Sequence, residues 1–112
     1  MKEVVNLIAE YYGVPVSLIY SKNKRKKVCL ARQVAMFIIR ENGRLGWSDI
    51  AHHFEKTHGT IIHAHKVITD MASVYSKFRE VIEFLVSYTK YIEIKAPIRY
   101  CRPSFFKNAI VL

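Results

Sequence analysis

The sequence is short of several things, and each shortage excludes something. It has only two cysteines, Cys29 and Cys101, far apart in 112 residues. They make neither a disulfide framework nor a zinc site, and a reducing cytoplasm is the economical expectation. Its four scattered glycines leave no G-x-x-x-x-G-K-[ST] phosphate loop and no G-x-G-x-x-G turn, and G-x-S-x-G and H-E-x-x-H are absent too. No nucleophile–base or paired-carboxylate arrangement can be placed, so neither catalysis nor a cofactor is expected. The longest apolar stretch, Val28 to Ile39, is broken by Arg32 and Gln33, well short of the roughly 18 residues that a membrane span needs. The opening MKEVVN has no charged-then-apolar secretion layout.

Acid is scarce as well. Nine Asp and Glu face 18 Lys and Arg, a net charge of +9, which favours a polyanionic partner, nucleic acid before acidic membrane. The cations are concentrated. Tyr11 to Arg40 holds Lys22, Lys24, Arg25, Lys26, Lys27, Arg32 and Arg40 with no acidic residue, and five of the seven lie in Ser21–Lys27. Such a run is commonly a solvated loop. This one is short and pinned between an apolar segment ending at Ile19–Tyr20 and an apolar helix, so it can be aimed at a target.

The rest reads as helices. Val4, Val5, Ile8 and Tyr12, with Leu7 and Tyr11, give a helical face that stops at Gly13. Pro15 opens a short segment, Val16 to Tyr20. Val28 to Glu41 is apolar almost all round and belongs in the middle of a bundle, with Cys29 read as a small buried group. Gly46 then caps a helix carrying Ile50, Ala51 and Phe54, with Asp49 near its positive end. After Glu55-Lys56, Thr57 caps a second helix with Ile61, Ala64, Ile68 and Met71 inward. Two helices joined by about three residues, with small Ala51 at their crossing, predict a helix-turn-helix. His58, Gly59, His63, Lys66 and Asp70 would face outward, a polar and faintly basic start suited to a major groove. Val74, Phe78, Val81, Leu85, Tyr88 and Ile92 form a seam that either packs on the bundle or makes a short coiled coil. Pro97 and Pro103 interrupt the last stretch, where Ile92–Lys95 alternates like a strand or an extended arm. The expectation is all-α: a helix-turn-helix bundle over 1–90 and an irregular C-terminal extension over 91–112.

All five histidines fall between His52 and His65. His63 and His65 point roughly 200° apart on a helix and no cysteine is near, so no metal site is expected. His58 reads as a base or phosphate contact or, more plainly, as a polar helix-end residue. His63 is equally a packed residue bonding across the turn. Trp47 reads as a cap on the core or a platform against sugar and phosphate.

Four stretches occur in the order of one family: Ala9-Glu10-Tyr11-Tyr12-Gly13, Ser21-Lys22 with its basic loop, Ala31-Arg32-Gln33-Val34-Ala35-Met36, and His58-Gly59-Thr60-Ile61-Ile62-His63-Ala64. The chain from about Val4 to Thr89 resembles the C-terminal DNA-binding domain of the bacterial replication initiator DnaA, a Trp-repressor-like helix-turn-helix. The resemblance implies double-stranded DNA as partner and a cytoplasmic, nucleoid-associated protein. It places Lys24, with Arg25 beside it, in a minor groove, and Arg32 and Gln33 on phosphates. It also implies that the start of the first helix, Trp47-Ser48, lies against the DNA backbone. The basic loop adds Lys22 and Lys27, and the recognition helix brings Thr57, His58, Thr60 and Lys66. Where the family reads Gly-Arg-Asp-His-Thr-Thr, this chain has Glu55-Lys56-Thr57-His58-Gly59-Thr60. His58 and Thr60 are kept, whereas Thr57 and Gly59 replace base-reading side chains. A lost base contact costs roughly 1–3 kcal/mol of discrimination.

Two other roles fit the same residues. One is a dimeric repressor joined through the Val74–Ile92 seam or the arm. The other is a module that docks on a host replication or transcription protein through Ile98, Tyr100, Phe105, Phe106, Ile110, Val111 and Leu112. Phage or mobile-element origin belongs with the first reading.

Overall fold

The structure is a computed structural model that describes residues 1–43 and 45–91. Among these residues there are six α-helices, a closing 3-10 turn and no strand. Helix α1, Lys2–Tyr12, buries Val4, Val5, Ile8 and Ala9 and ends on Gly13. Gly13 takes φ 68°, and its N–H closes the last turn onto Ala9 and Glu10, a conformation that glycine adopts without a Cβ penalty. Pro15 fixes the entry to the single-turn α2, Val16–Ile19.

Helix α3, Lys26–Gly43, is the axis. Val34, Ala35, Ile38 and Ile39 have no exposed surface, and Met36 has almost none. Apolar residues on every side leave this helix stable only when surrounded, and α1, α5 and α6 pack around it. It starts two residues before the apolar pattern does, so Lys26 and Lys27 stand in its first turn rather than in the loop.

Helices α4, Trp47–Phe54, and α5, His58–Val74, form the helix-turn-helix. Ile50, Ala51 and Phe54 from α4 meet Ile61, Ala64 and Ile68 from α5 in the core, as the periodicity predicts. Gly46 is the N-cap of α4 and Thr57 that of α5. The turn between them hangs on Glu55, which sits at φ 54°, ψ 45°. Its N–H reaches the His52 carbonyl at 3.2 Å, and the Lys56 N–H reaches the Ala51 carbonyl at 2.9 Å. These bonds satisfy the last carbonyls of α4.

Helix α6, Ser76–Tyr88, corrects the expected seam. The chain turns at extended Tyr75, which leaves Val74 on α5 and 71% exposed. Ile82 and Leu85 are the buried residues of α6, with Phe78, Val81 and Val86 packed beside them. Tyr88 points outward. The face therefore packs on the bundle, and no coiled-coil stripe crosses Tyr75. Ile92, the alternation at Ile92–Lys95, Cys101 and the apolar residues of the extension lie outside the described residues. Asn42 Nδ2 donates to Thr89 Oγ1 at 2.8 Å and to the Val86 carbonyl at 3.2 Å, fixing the point where the 3-10 turn Thr89–Tyr91 leaves α6. No helix among the described residues is long and apolar enough to cross a membrane.

A left-handed backbone costs a residue with a Cβ roughly 1–2 kcal/mol, while glycine loses about 0.5–1 kcal/mol in entropy. Glu55→Gly is therefore expected to stabilise the fold by about 0.5–1 kcal/mol. A denaturant midpoint that moves up reports it, and a midpoint that falls refutes the strain.

Candidate nucleic-acid interface

The basic loop is built around one buried cation. Arg32, on α3, is 9% exposed. Its Nε donates to the Ile19 carbonyl at 2.7 Å. Its Nη2 lies 2.9 Å from the Leu18 carbonyl, 2.8 Å from that of Ser21 and 3.1 Å from that of Asn23. The single turn of α2 leaves its last carbonyls without helical partners, and the guanidinium collects them together with the loop carbonyls beyond. Arginine suits this task because its donors form a rigid planar fork. The side chain expected on phosphates is thus turned inward, committed to the backbone of its own loop.

Side chains complete the loop. Ser21 Oγ donates to the Leu18 carbonyl at 2.6 Å and accepts the Asn23 N–H at 3.1 Å. Asn23 Oδ1 accepts the Arg25 N–H at 2.9 Å, an Asx-type turn. Cys29 is half-buried rather than an inert core group, and its thiol donates to the Asn23 carbonyl at 3.7 Å. With the backbone engaged, Lys22, Lys24, Arg25, Lys26 and Lys27 all remain exposed. The Lys27 ammonium lies close to Gly13, 3.7 Å from where a Cβ would stand, at the electronegative end of α1. Gln33 is half-buried beside Arg32.

Helix α4 links this loop to the recognition end. Tyr20 Oη and His53 Nε2 are hydrogen-bonded at 2.7 Å, and the Tyr20 ring stacks on Phe54 with centroids 5.5 Å apart. Burial lowers the pKa of His53, helped by the positive N-terminus, Lys2 and His52, and burial raises that of Tyr20. The pair is held neutral. On the neighbouring flank of α4, Ser48, Ala51 and His52 line a shallow groove with Lys56, Thr57 and His58. Ser48 Oγ and His58 Nε2 are 2.5 Å apart, which fastens the exposed start of α5 to that of α4. Thr57 Oγ1 accepts the Thr60 N–H at 3.4 Å and lies 3.1 Å from Thr60 Oγ1. Thr57, His58, Gly59 and Thr60 are all exposed, as is Lys66 two turns further on.

His63 is exposed, which removes the reading of it as a packed residue. The packed histidine of α5 is His65, stacked on Phe37 with centroids 4.8 Å apart and 3.1 Å from Glu41 Oε2. Trp47 is a cap on the core: Arg40 covers its ring at 4.0 Å and donates to the Leu45 carbonyl, while His65 meets its edge. The structure thus joins Ser48 to His58 and Thr57 to Thr60, and gathers the loop cations on a backbone that Arg32 fixes. Sequence reasoning missed Asn23, Tyr20 and His53. The Ser21-Lys22-Asn23-Lys24 alternation carried the signal for Asn23, a turn former amid cations. Nothing local links Tyr20 to a residue 33 positions on.

An all-α bundle that presents a capped helix-turn-helix beside a rigid cationic loop is a helix-turn-helix domain of the nucleic-acid-binding kind. Its relatives agree. The family described as the bacterial DnaA protein helix-turn-helix matches residues 1–68, and the chain belongs to that family. The chromosomal replication initiator protein DnaA of Aquifex aeolicus is 31% identical over 86 residues, covering 76% of this chain and 22% of that protein. Its counterpart in Desulfotalea psychrophila is 34% identical over 67 residues, 60% of this chain and 14% of that one. A solved replication initiator DnaA bound to AMPPCP and single-stranded DNA superposes with a TM-score of 0.72 at 30% identity, over 80% of this chain and 27% of that one. The chain thus spans about a fifth of the length of the curated relatives it matches.

Two outcomes follow from the buried groups. The unfolded chain protonates His53 near pH 6.5 and the folded chain only below that, so between the two values the unfolded state binds more protons. Stability should fall as pH drops through that window, and melting temperatures of wild type and His53→Gln between pH 7.5 and 5 should converge at low pH. Parallel curves refute the linkage. Arg32→Lys should not rescue the loop, because an ammonium cannot serve the same fan of carbonyls. Hydrogen exchange at the Asn23 and Arg25 amides should accelerate at least tenfold, equivalent to about 1.4 kcal/mol, while Val34 and Ile38 change less.

Proposed function

We propose that this chain is a double-stranded DNA-binding module of replication-initiator type that works by occupying its site. The start of α5 enters the major groove with His58 and Thr60, and Lys24 and Arg25 reach the adjacent minor groove. Lys22, Lys27, Gln33, Ser48, Thr57 and Lys66 lie along the phosphates. Arg32 acts at one remove, by holding the loop. The observation that carries this reading is the bracing of both contact regions on α4: Tyr20–His53 on one flank, Ser48–His58 on the other. Two separated contacts on DNA need such a fixed spacing.

The first turn of α3 adds support. Lys26 and Lys27 stand at the positive end of that helix with no acidic residue in the turn. The positive end of the helix and the two ammonium groups together favour an anion such as a phosphate. In this reading the module acts by occupancy, and ATP hydrolysis is no part of what these residues do. As a separate module the chain would compete for initiator boxes as a regulator of the kind a phage or mobile element carries, and its place would be with the nucleoid.

Fluorescence anisotropy on a duplex with an initiator-type box and on a scrambled duplex, across a salt series, tests the reading. Steeply salt-dependent binding is expected on both, with tighter binding to the box. Lys24→Ala with Arg25→Ala should lower the slope of log affinity against log salt by about 0.9 for each phosphate contact removed. An unchanged slope takes the loop out of the interface, and no binding to either duplex ends the DNA reading.

A further inference from the structure

Away from the basic loop, α1 and α6 leave a groove of about 480 Å³ between them, lined by Leu7, Glu10, Tyr11, Phe84, Leu85, Tyr88 and Thr89. Its walls are aromatic and open: Tyr11 is 48% exposed, Phe84 56% and Tyr88 57%. The rings of Phe84 and Tyr88, one helical turn apart, stack with centroids at 5.8 Å. Leu7 and Tyr11 have the same four-residue spacing on α1, so two apolar ridges face each other. Isolated apolar residues on a surface need no explanation, but a contiguous concave set marks a place that something covers.

We propose that residues 92–112 of this chain are the occupant, folding back so that their apolar side chains fill the groove between α1 and α6. Continuity is the first argument. Thr89 lines the groove and is fixed to α3 through Asn42, so the chain leaves the bundle at the groove's own end. At roughly 3.3 Å per extended residue, the first half-dozen residues beyond Tyr91 already cover about 20 Å. Composition is the second. Ile92, Ile94, Ile98, Tyr100, Phe105, Phe106, Ile110, Val111 and Leu112 give this segment more apolar weight than water-solvated chain carries. Charge is the third. The segment has four cations, Lys95, Arg99, Arg102 and Lys107, against the single Glu93. Among the described residues, the one charged residue in the groove's lining is an acid, Glu10.

The native Cys101 gives the test. Cys29→Ser keeps a hydroxyl donor in place of the thiol and leaves Cys101 as the sole thiol for a nitroxide spin label. In nitrogen-15 spectra of the labelled 112-residue chain, the amides of Leu7, Tyr11, Phe84 and Tyr88 should broaden strongly, and those of His63 and Lys66 on α5 should not. Phe84→Ser with Tyr88→Ser, both at exposed positions and so compatible with folding, should abolish the difference while circular dichroism stays helical. Uniform broadening, or none, overturns the proposal. A sample mixing labelled, isotope-unlabelled chain with unlabelled nitrogen-15 chain separates sources: broadening there means a second copy provides the segment, which also overturns it. None of these readouts involves DNA, so the outcome is independent of the DNA-binding reading.

Discussion

The fold's functional face depends on one guanidinium kept out of water. Arg32 is a buried cation that pairs with no carboxylate among the described residues; the carbonyls of Leu18, Ile19, Ser21 and Asn23 solvate it by hydrogen bonds. A buried charge is costly unless its donors are satisfied, and here satisfaction requires the loop to curl around α3. The free energy that compensates burial of Arg32 is therefore the same free energy that orders the loop. An uncharged residue at position 32 would remove the donor group that these four carbonyls share, and five exposed cations in Ser21–Lys27 would repel one another on a slack chain. An inward cation thus makes the arrangement of outward ones possible.

That dependence explains what was legible in the sequence and what was not. Helix positions, the cap residues Gly13, Gly46 and Thr57, and most of the buried sets on α3, α4 and α5 follow from local periodicity; Leu30 and Met71, also expected inward, are only partly buried. The inward bonds of Arg32 were not legible because an arginine among cations beside an apolar helix has two uses. Only the three-dimensional path of Leu18–Asn23 decides between them. His53 and Tyr20 are likewise silent in sequence, since their pairing joins elements far apart in the chain. The seam over Val74–Tyr88 packs on the bundle at Phe78, Val81 and Leu85 but not at its ends, for another reason. Its four-and-three spacing was real, but Tyr75 adopts an extended conformation and rotates the next helix, so Ile82 rather than Val74 or Tyr88 reaches the core. Periodicity does not see a break that carries no proline or glycine.

The histidines show how neighbours divide one residue type among different tasks. His53 is drawn inward by Tyr20 and Phe54, and His65 packs between Phe37 and Trp47. His58 is exposed and held by Ser48, and His63 stands in solvent. Clustered in sequence, they are separated in space by the two sides of α4 and the faces of α5. Among the described residues, no three potential metal ligands come together.

The recognition end has a mixed composition in the proposed reading. Thr57 and Thr60 direct their hydroxyls at each other and at the backbone, a capping arrangement that stabilises the start of α5. Gly59 offers no side chain, and its presence in a first helical turn costs about 0.5–1 kcal/mol against alanine. Base reading then rests chiefly on His58, whose orientation the Ser48 hydrogen bond sets, and on whatever the minor-groove loop adds. In that reading affinity and discrimination are carried by different parts of this molecule. The cations of the loop and of the first turn of α3 would supply a large, salt-sensitive attraction that is blind to sequence, while few side chains would remain to tell one site from another. A module built this way would gain its selectivity from the fixed distance between loop and helix, because a duplex would have to present both grooves at the spacing that Arg32 and α4 set.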